Sequence, residues 1–525
     1  MAVGRLVVAP GADRGAHRST PTLHPESISA LDRGGFGYIM VFSSHLFLFY
    51  FLPAVLALYY LSPRWLKHLT LTAVSYVFYG WANPLFVVLM FASTLIDYLC
   101  GLAMVGQLRP SAWRGPVPLL RPDQPRAGWQ RAVLAFSMVS NLSLLGFFKY
   151  ANFIAVNYTA LVESLGMTGW GMEDVLRVTL PLGISFYTFQ SMSYAIDVYR
   201  GDALAIRNPI DYWCYVAMFP QLVAGPIVRF QEVADQLRER THTMEKFARG
   251  IAFLGLGLGK KILLANPCGK VADMAFDAGS IGWIDSWVGA VAYAFQIYFD
   301  FSAYSDMAIG LGLMLGFMFA KNFDSPYRSK SITEFWRRWH ISLSTWLRDN
   351  LYFPLGGNRK GPVRTYVNLA LVMLLGGLWH GASWNFVIWG AIHGLMLILE
   401  RLGGKHPFYE RLPGFARMAI TFVILCFTWV FFRAADLPTA VEYCRSMLGL
   451  AAPQSGAGLI GGLIYQPYYM VSMLLAAAVV WFCPQTWDFT RKITLAKALW
   501  ITAVFWLAVA AMTAQEFNPF IYFIF

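Results

Sequence analysis

The chain has 525 residues, of which 57% are hydrophobic, 16% aromatic and only 13% charged, about half the charge of an ordinary soluble domain. That balance excludes a disordered chain, a disulfide scaffold and a coiled coil, and it leaves too little polar surface to cover one soluble core. A mean hydropathy of +0.50 therefore places it in a lipid bilayer as an all-α polytopic membrane protein, where the net charge of +12 reads as Lys and Arg that set topology and nucleic acid is a poor partner.

In chain order, residues 1–39 are polar and rich in Gly, Pro, Arg and Ser, with neither an apolar signal core nor helical periodicity. A disordered leader is expected there, an artefact of the gene model rather than native protein, with the functional domain over 40–525. Apolar runs long enough to approach a span follow at 42–61, 67–82, 84–105, 131–157, 178–198, 248–276, 284–319, 363–379, 383–400, 414–433, 467–484 and 495–514. About 11–13 membrane segments are expected. The run 284–319 is too long for one straight span and reads as a tilted helix or two pieces. Residues 210–227, broken by Pro220, Gly225 and Pro226, read as a re-entrant piece buried against protein.

The connection 321–364 carries nine basic residues against three acids. With the basic stretches Arg109–Arg131 (including Arg114) and Arg229–Arg249, it is assigned to the cytoplasmic side. The six cysteines, Cys100, Cys214, Cys268, Cys426, Cys444 and Cys483, show no C-x-x-C spacing and read as small core residues. No metal site and no bound cofactor are expected.

Four segments carry candidate chemistry. In 331–349, Thr333 is a possible helix cap, and Trp336, Trp339, Leu343 and Trp346 recur at helical spacing as one aromatic face, with His340 at its edge. One reading is an interfacial amphipathic helix with its arginines in water. The other is a basic surface on which Arg337 and Arg338 hold the phosphates of an acidic cofactor. In Gly376-Gly377-Leu378-Trp379-His380-Gly381, an ionisable side chain ends an apolar span. That makes it a functional candidate, and a buried imidazole is easily kept neutral and ready to accept a proton; the alternative is a hydrogen-bonded structural histidine. The flanking glycines allow another backbone or a substrate to approach closely. His393 competes for the same role. Asp300 and Asp306, within an apolar run, serve either a proton path or, the stronger reading, helix-to-helix contacts. Gly183-Ile184-Ser185-Phe186-Tyr187-Thr188-Phe189-Gln190 puts polar atoms along a span, where packing is the simpler account. G-x-S-x-G, H-E-x-x-H, P-loop and dinucleotide motifs are missing, which excludes the common hydrolase and ATPase chemistries and suits direct transfer from an activated donor.

Taken with Met40-Val41-Phe42-Ser43-Ser44, Ala224-Gly225-Pro226-Ile227, Tyr298-Phe299-Asp300-Phe301-Ser302 and Phe520-Ile521-Tyr522-Phe523, these segments resemble the membrane-bound O-acyltransferase family over about 40–525. Ala303, where relatives often have Gly, is a minor departure. The resemblance implies a helical bundle around a central channel with re-entrant pieces. It implies catalysis by His380, in its Trp-His-Gly context, with His340 as the second polar position. Arg337, Arg338, Trp336, Arg348, Trp379, Asp300, Tyr304 and Gln190 are taken as substrate-binding. Acetyl-CoA is the expected donor, its phosphates meeting Arg337, Arg338, Arg348 or Lys330. His340 either orients the acceptor or polarises the acyl carbonyl. The members most resembled serve alginate O-acetylation from the inner membrane of Gram-negative bacteria, with periplasmic acetyltransferase proteins as partners. Peptidoglycan O-acetylation, D-alanyl transfer to teichoic acid and an acyl-donor transporter without chemistry are the alternatives.

Overall fold

The computed structural model describes residues 40–515, apart from 110, 112, 114, 122, 168, 173–176 and 405. The expected leader at 1–39, Arg114 and the aromatic end at 520–523 lie outside the described residues.

The described chain is built from helices: α1 (Leu46–Leu61, opening with a π turn), α2 (Lys67–Ala82), α3 (Pro84–Met104), α4 (Gly128–Ser164), α5 (Ile184–Arg200), α6 (Pro209–Ala217), α7 (Phe219–Leu222), α8 (Phe230–Arg238), α9 (Met244–Gly259), α10 (Asn266–Asp277) and α11 (Trp283–Met314). There follow α12 (Ile332–Arg338), α13 (Ile341–Leu347), α14 (Gly361–His380), α15 (Trp384–Leu402), α16 (Gly414–Arg433), α17 (Leu437–Met447), α18 (Ile460–Ile464), α19 (Pro467–Phe482), α20 (Thr486–Phe489) and α21 (Leu495–Ala514). Every expected apolar run falls on helix. By length and composition, α3, α4, α14, α15, α16 and α21 can each cross a membrane, and α18–α19 make a seventh if their bent pair, turned through 70°, is one span. Most of the remaining runs are shorter, or are interrupted by π turns, as at Lys260–Ala265 between α9 and α10; α11 is long enough but carries Asp285, Asp300 and Asp306 along its length.

Local chemistry explains the boundaries. Asn83 caps α3 by accepting the Leu85 N–H at 3.0 Å, and Asn208 does the same for Ile210 at the start of α6 at 3.1 Å. In both cases the following proline sits where its missing N–H costs nothing. The run at 284–319 resolves into one helix, α11, of 32 residues, about 48 Å at 1.5 Å per residue. It is buried on nearly every face from Gly289 onward and packs against α9, α10 and α16. Small residues permit this. A Cβ at Gly250 would lie 2.6 Å from the Gly310 carbonyl oxygen, and one at Gly257 2.9 Å from that of Ala303, so α9 and α11 touch backbone to backbone.

The segment 210–227 is broken at Met218 between α6 and α7, and 214–228 is buried throughout. Its freed backbone groups find protein partners, as such a piece requires. The Phe219 N–H donates to Ser75 Oγ (3.0 Å), the Ile227 N–H to Ser342 Oγ (3.0 Å), and the Tyr215 hydroxyl to the Val228 carbonyl (2.9 Å).

Candidate active site

The 321–364 connection is not a single amphipathic helix. Ser331, not Thr333, caps α12, its Oγ accepting the Glu334 N–H at 3.0 Å. The helix stops at Arg338, and α13 starts at Ile341. The expected aromatic stripe is therefore split between two short helices and buried in protein rather than laid at a membrane surface. Trp339 packs against Tyr298, Phe323 and Trp429, and Trp346 stacks on Phe189 at 4.1 Å. The periodicity is real, but tertiary packing breaks the helix that would have displayed it.

His340 stands at that break with φ 43°, a left-handed conformation that costs a side-chain-bearing residue about 1–2 kcal/mol. Asn322 offsets the strain. Its Oδ1 accepts the Ser342 N–H (3.2 Å) and the Ser342 hydroxyl (2.9 Å), and lies 3.2 Å from His340 Nδ1. Its backbone carbonyl accepts the Ile341 N–H at 2.9 Å. An atom that accepts a backbone N–H must be the amide oxygen, so the orientation of Asn322 is fixed. His340 Nδ1 is then the protonated nitrogen and donates to Asn322, which assigns the lone pair to Nε2. That atom is buried and has no hydrogen-bond partner among the described residues. Phe301 presents its ring edge to the imidazole at 4.6 Å.

The Trp379 ring is close to both candidate histidines, 6.1 Å from the His340 ring and 5.0 Å from that of His380. His380 is the last residue of α14 and is buried. Trp389 and Phe432 lie 5.3 and 5.2 Å from its ring, and its Nδ1 has no hydrogen-bond partner among the described residues. The glycines beside it serve protein packing: a Cβ at Gly377 would meet the Phe386 carbonyl, and one at Gly381 the Phe386 ring. α15 thus presses directly against the end of α14 and fixes the backbone that bears His380.

His393 is a different case. Trp336 Nε1 donates to its Nδ1 at 3.2 Å. An indole N–H can only donate, so Nδ1 is the acceptor and the proton of the neutral ring sits on Nε2. The Nδ1 lone pair of His393 is already engaged by Trp336, which makes it a poorer base than an imidazole with an unengaged nitrogen. Trp336, expected to touch substrate, is committed to His393.

The other expected substrate residues separate by environment. Arg338 is held by Glu334 (2.8 Å) and the Asp324 carbonyl (3.1 Å). Arg337 is exposed at the end of α12, and Arg348 is exposed and paired with Asp349 at 2.7 Å. Asp300 forms a buried ion pair with Lys261 at 2.7 Å, and Asp306 pairs with Lys260 at 2.7 Å. The two acids thus tie α11 to the π turn after α9, and the Asp300 carboxylate is engaged by Lys261. Tyr304 stacks on Phe42 at 4.5 Å, its hydroxyl engaged by the Ala224 backbone, so it too serves packing. Gln190 is fully buried on α5, and neither amide atom has a hydrogen-bond partner among the described residues. Its neighbour Phe189 lies against Trp346 and, at 5.6 Å, against Trp379.

A cavity of about 420 Å³ opens where α5 ends, lined by Asp197, Arg200, Arg229 and Asp349 among others. Arg229 bridges Glu232 (2.7 Å) and Asp349 (2.8 Å). Burial alone would lower its pKa, but these carboxylates hold it above the ordinary guanidinium value. From Arg200 at the cavity to Phe189 is 11 residues of α5, about 16 Å; α5 therefore connects this cavity to the aromatic residues around His340. Sequence reasoning misses Arg229 as a cavity residue because it reads the stretch Arg229–Arg249 only for topology, and Arg200 because it stands just past the apolar run 178–198 with no motif around it. It also misses Asn322, a polar residue in a polar connection with no local signal. Lys149, buried in α4 against the end of α14, could have been found: it is an ionisable residue inside an apolar run.

The family model for MBOAT, the membrane-bound O-acyltransferase family, matches residues 133–432, which takes in α4 through α16 and both candidate histidines. The "Probable alginate O-acetylase AlgI" of Azotobacter vinelandii is 42% identical over 519 residues, covering 92% of this chain and 100% of that protein. The protein of the same name in Pseudomonas putida is 48% identical over 408 residues, 78% of this chain and 80% of its own length. The "Peptidoglycan O-acetyltransferase" of Helicobacter pylori is 35% identical over 448 residues, 79% of this chain and 80% of that protein. With helices long and apolar enough to cross a membrane several times and a buried histidine pair inside the matched region, the chain is an acyltransferase that belongs to the membrane-bound O-acyltransferase family.

Proposed function

We propose that this protein is an inner-membrane O-acetyltransferase that takes acetyl from cytosolic acetyl-CoA and delivers it, through periplasmic acetyltransferase partners, to alginate. The observation that carries the reading is the pair of buried histidines that both lie against the Trp379 ring, each with a ring nitrogen that has no hydrogen-bond partner among the described residues. In the reaction, the oxygen of an acceptor hydroxyl attacks the thioester carbonyl. The C–O bond forms, the C–S bond breaks, and the hydroxyl proton passes to His380 and then to the departing thiolate. His340 Nε2, a lone pair rather than an N–H, suits accepting a hydrogen bond from the acceptor hydroxyl. It does not suit polarising the acyl carbonyl, so of its two expected roles the orienting one is favoured. General-base help of this kind is worth about 10²–10⁴-fold, and a site closed off from water adds positioning.

The excess of Lys and Arg in 321–364 supports a cytosolic donor side, and Arg337 and Lys330, both exposed and without an ion pair among the described residues, are better placed than the paired Arg338 and Arg348 to meet a phosphate. The alginate assignment rests on the names of the Azotobacter and Pseudomonas relatives. The Helicobacter relative keeps peptidoglycan as the second acceptor reading. The test is His380→Gln expressed in the native host, with membrane abundance checked by immunoblot and acetyl ester measured on secreted alginate. Loss of the ester at normal abundance is expected; full acetylation would refute the assignment.

A further inference from the structure

The last four carbonyls of a helix have no partner within it, and on α14 these belong to Gly377, Leu378, Trp379 and His380. All four are satisfied. Gly377 accepts the Gly381 N–H at 3.3 Å. The other three are taken by two adjacent residues of α4: the Tyr150 hydroxyl donates to Leu378 at 2.7 Å, and Lys149 Nζ donates to Trp379 at 2.5 Å and to His380 at 3.1 Å. Lys149 is buried in a helix that otherwise has the length and apolar composition of a membrane span, where a cation is expensive. Among the described residues no carboxylate pairs with it; its partners there are those two carbonyls and the Trp379 ring, with Nζ 5.9 Å from the ring centroid. A cation at a helix C-terminus also complements the helix dipole. A plain cap could be supplied by a neutral donor or by water, and neither needs a buried charge.

We propose that Lys149, assisted by Tyr150, is a positioning residue for acyl transfer: it clamps the backbone of Trp379 and His380 so that the imidazole and the indole keep their places beside His340. This rests on the reading of His380 as the base. A shift of about 1 Å in a catalytic group can cost 10²-fold in rate, which sets the expected effect.

The experiment is acetyl-CoA turnover by the purified full-length protein in detergent, normalised to the folded fraction by size-exclusion chromatography, for wild type, Lys149→Met, Lys149→Arg, Tyr150→Phe and His380→Ala. Lys149→Met is expected to lower kcat by about 10²-fold with KM within about twofold, and Lys149→Arg to recover to within about tenfold of wild type by supplying two donors and a charge. Tyr150→Phe, which removes one hydroxyl and leaves the charge in place, is expected to lower kcat by about tenfold, and it carries the test if Lys149→Met does not fold. A wild-type kcat in folded Lys149→Met, or in Tyr150→Phe where Lys149→Met is not recovered, with His380→Ala inactive, overturns the proposal and leaves the base intact. Loss in Lys149→Met that Lys149→Arg fails to repair also overturns it. Wild-type turnover in His380→Ala overturns the reading of the base and this proposal with it.

Discussion

Replacing Asn322 by Ala tests the tautomer argument most sharply. Its Oδ1 accepts both the N–H and the hydroxyl of Ser342 and lies within hydrogen-bond reach of His340 Nδ1. Truncation leaves the Ser342 amide and the His340 Nδ1–H buried without an acceptor, at about 1–3 kcal/mol each, or about 2–6 kcal/mol together. It also removes the group that holds His340 at φ 43°. The cheaper escape is for the imidazole to move its proton to Nε2, which converts the free acceptor into a donor. In a serine protease triad, loss of the correct histidine tautomer costs about 10⁴ in kcat; here His340 orients rather than abstracts, so a loss on the order of 10²–10³ is expected. Asn322→Asp keeps an acceptor toward Nδ1 and is expected to retain more than ten times the activity of Asn322→Ala. The assay is acetyl-CoA turnover in detergent, normalised to folded protein. Asn322→Ala with wild-type kcat would refute the hydrogen-bond assignment and the orienting role of His340.

Three further outcomes follow from the same geometry. Trp336→Phe leaves His393 Nδ1 without its donor, so it is expected to lower stability by about 1–3 kcal/mol while kcat per folded protein stays within about threefold of wild type; thermal denaturation in detergent and turnover measure the two. Asp300→Asn strands Lys261 as a buried charge and is expected to cost about 3–5 kcal/mol, read as loss of folded protein in membranes. The combined Asp300→Asn with Lys261→Met recovers much of that loss if the pair is an anchor and not a substrate ligand. Arg337→Ala is expected to raise KM for acetyl-CoA by about tenfold, a charge-assisted contact being worth about 1.5–3 kcal/mol when unscreened. Arg338→Ala, whose side chain is already held by Glu334 and the Asp324 carbonyl, changes KM less.

Much of the fold is legible in the sequence because membrane helices are written in simple terms: every expected apolar run lies on a helix, and Pro220, Gly225 and Pro226 marked a broken piece that is indeed buried with its backbone satisfied by protein. The number of crossings was less legible. Apolar length alone does not tell a lipid-facing span such as α21 from α11, which is sheathed in protein over most of its length. The site was legible in its residue types and not in its partners. His340 and His380 stand out locally as imidazoles in apolar or aromatic surroundings. That His393 is already an acceptor depends on Trp336, 57 residues away in sequence. That Asp300 faces Lys261 depends on a π turn no periodicity announces. Helical spacing of Trp336, Trp339 and Trp346 predicts one continuous helix, and the structure has two short ones, because Asn322 holds the backbone of 340–342 in a conformation that ends the first.

The imidazole of His380 is the proposed acceptor of the hydroxyl proton, and its most direct test is single-turnover release of coenzyme A from acetyl-CoA by purified His380→Gln protein in nanodiscs, with an acceptor hydroxyl present. A rate about 10²–10⁴-fold below wild type at unchanged donor affinity is predicted; release at the wild-type rate would contradict the account.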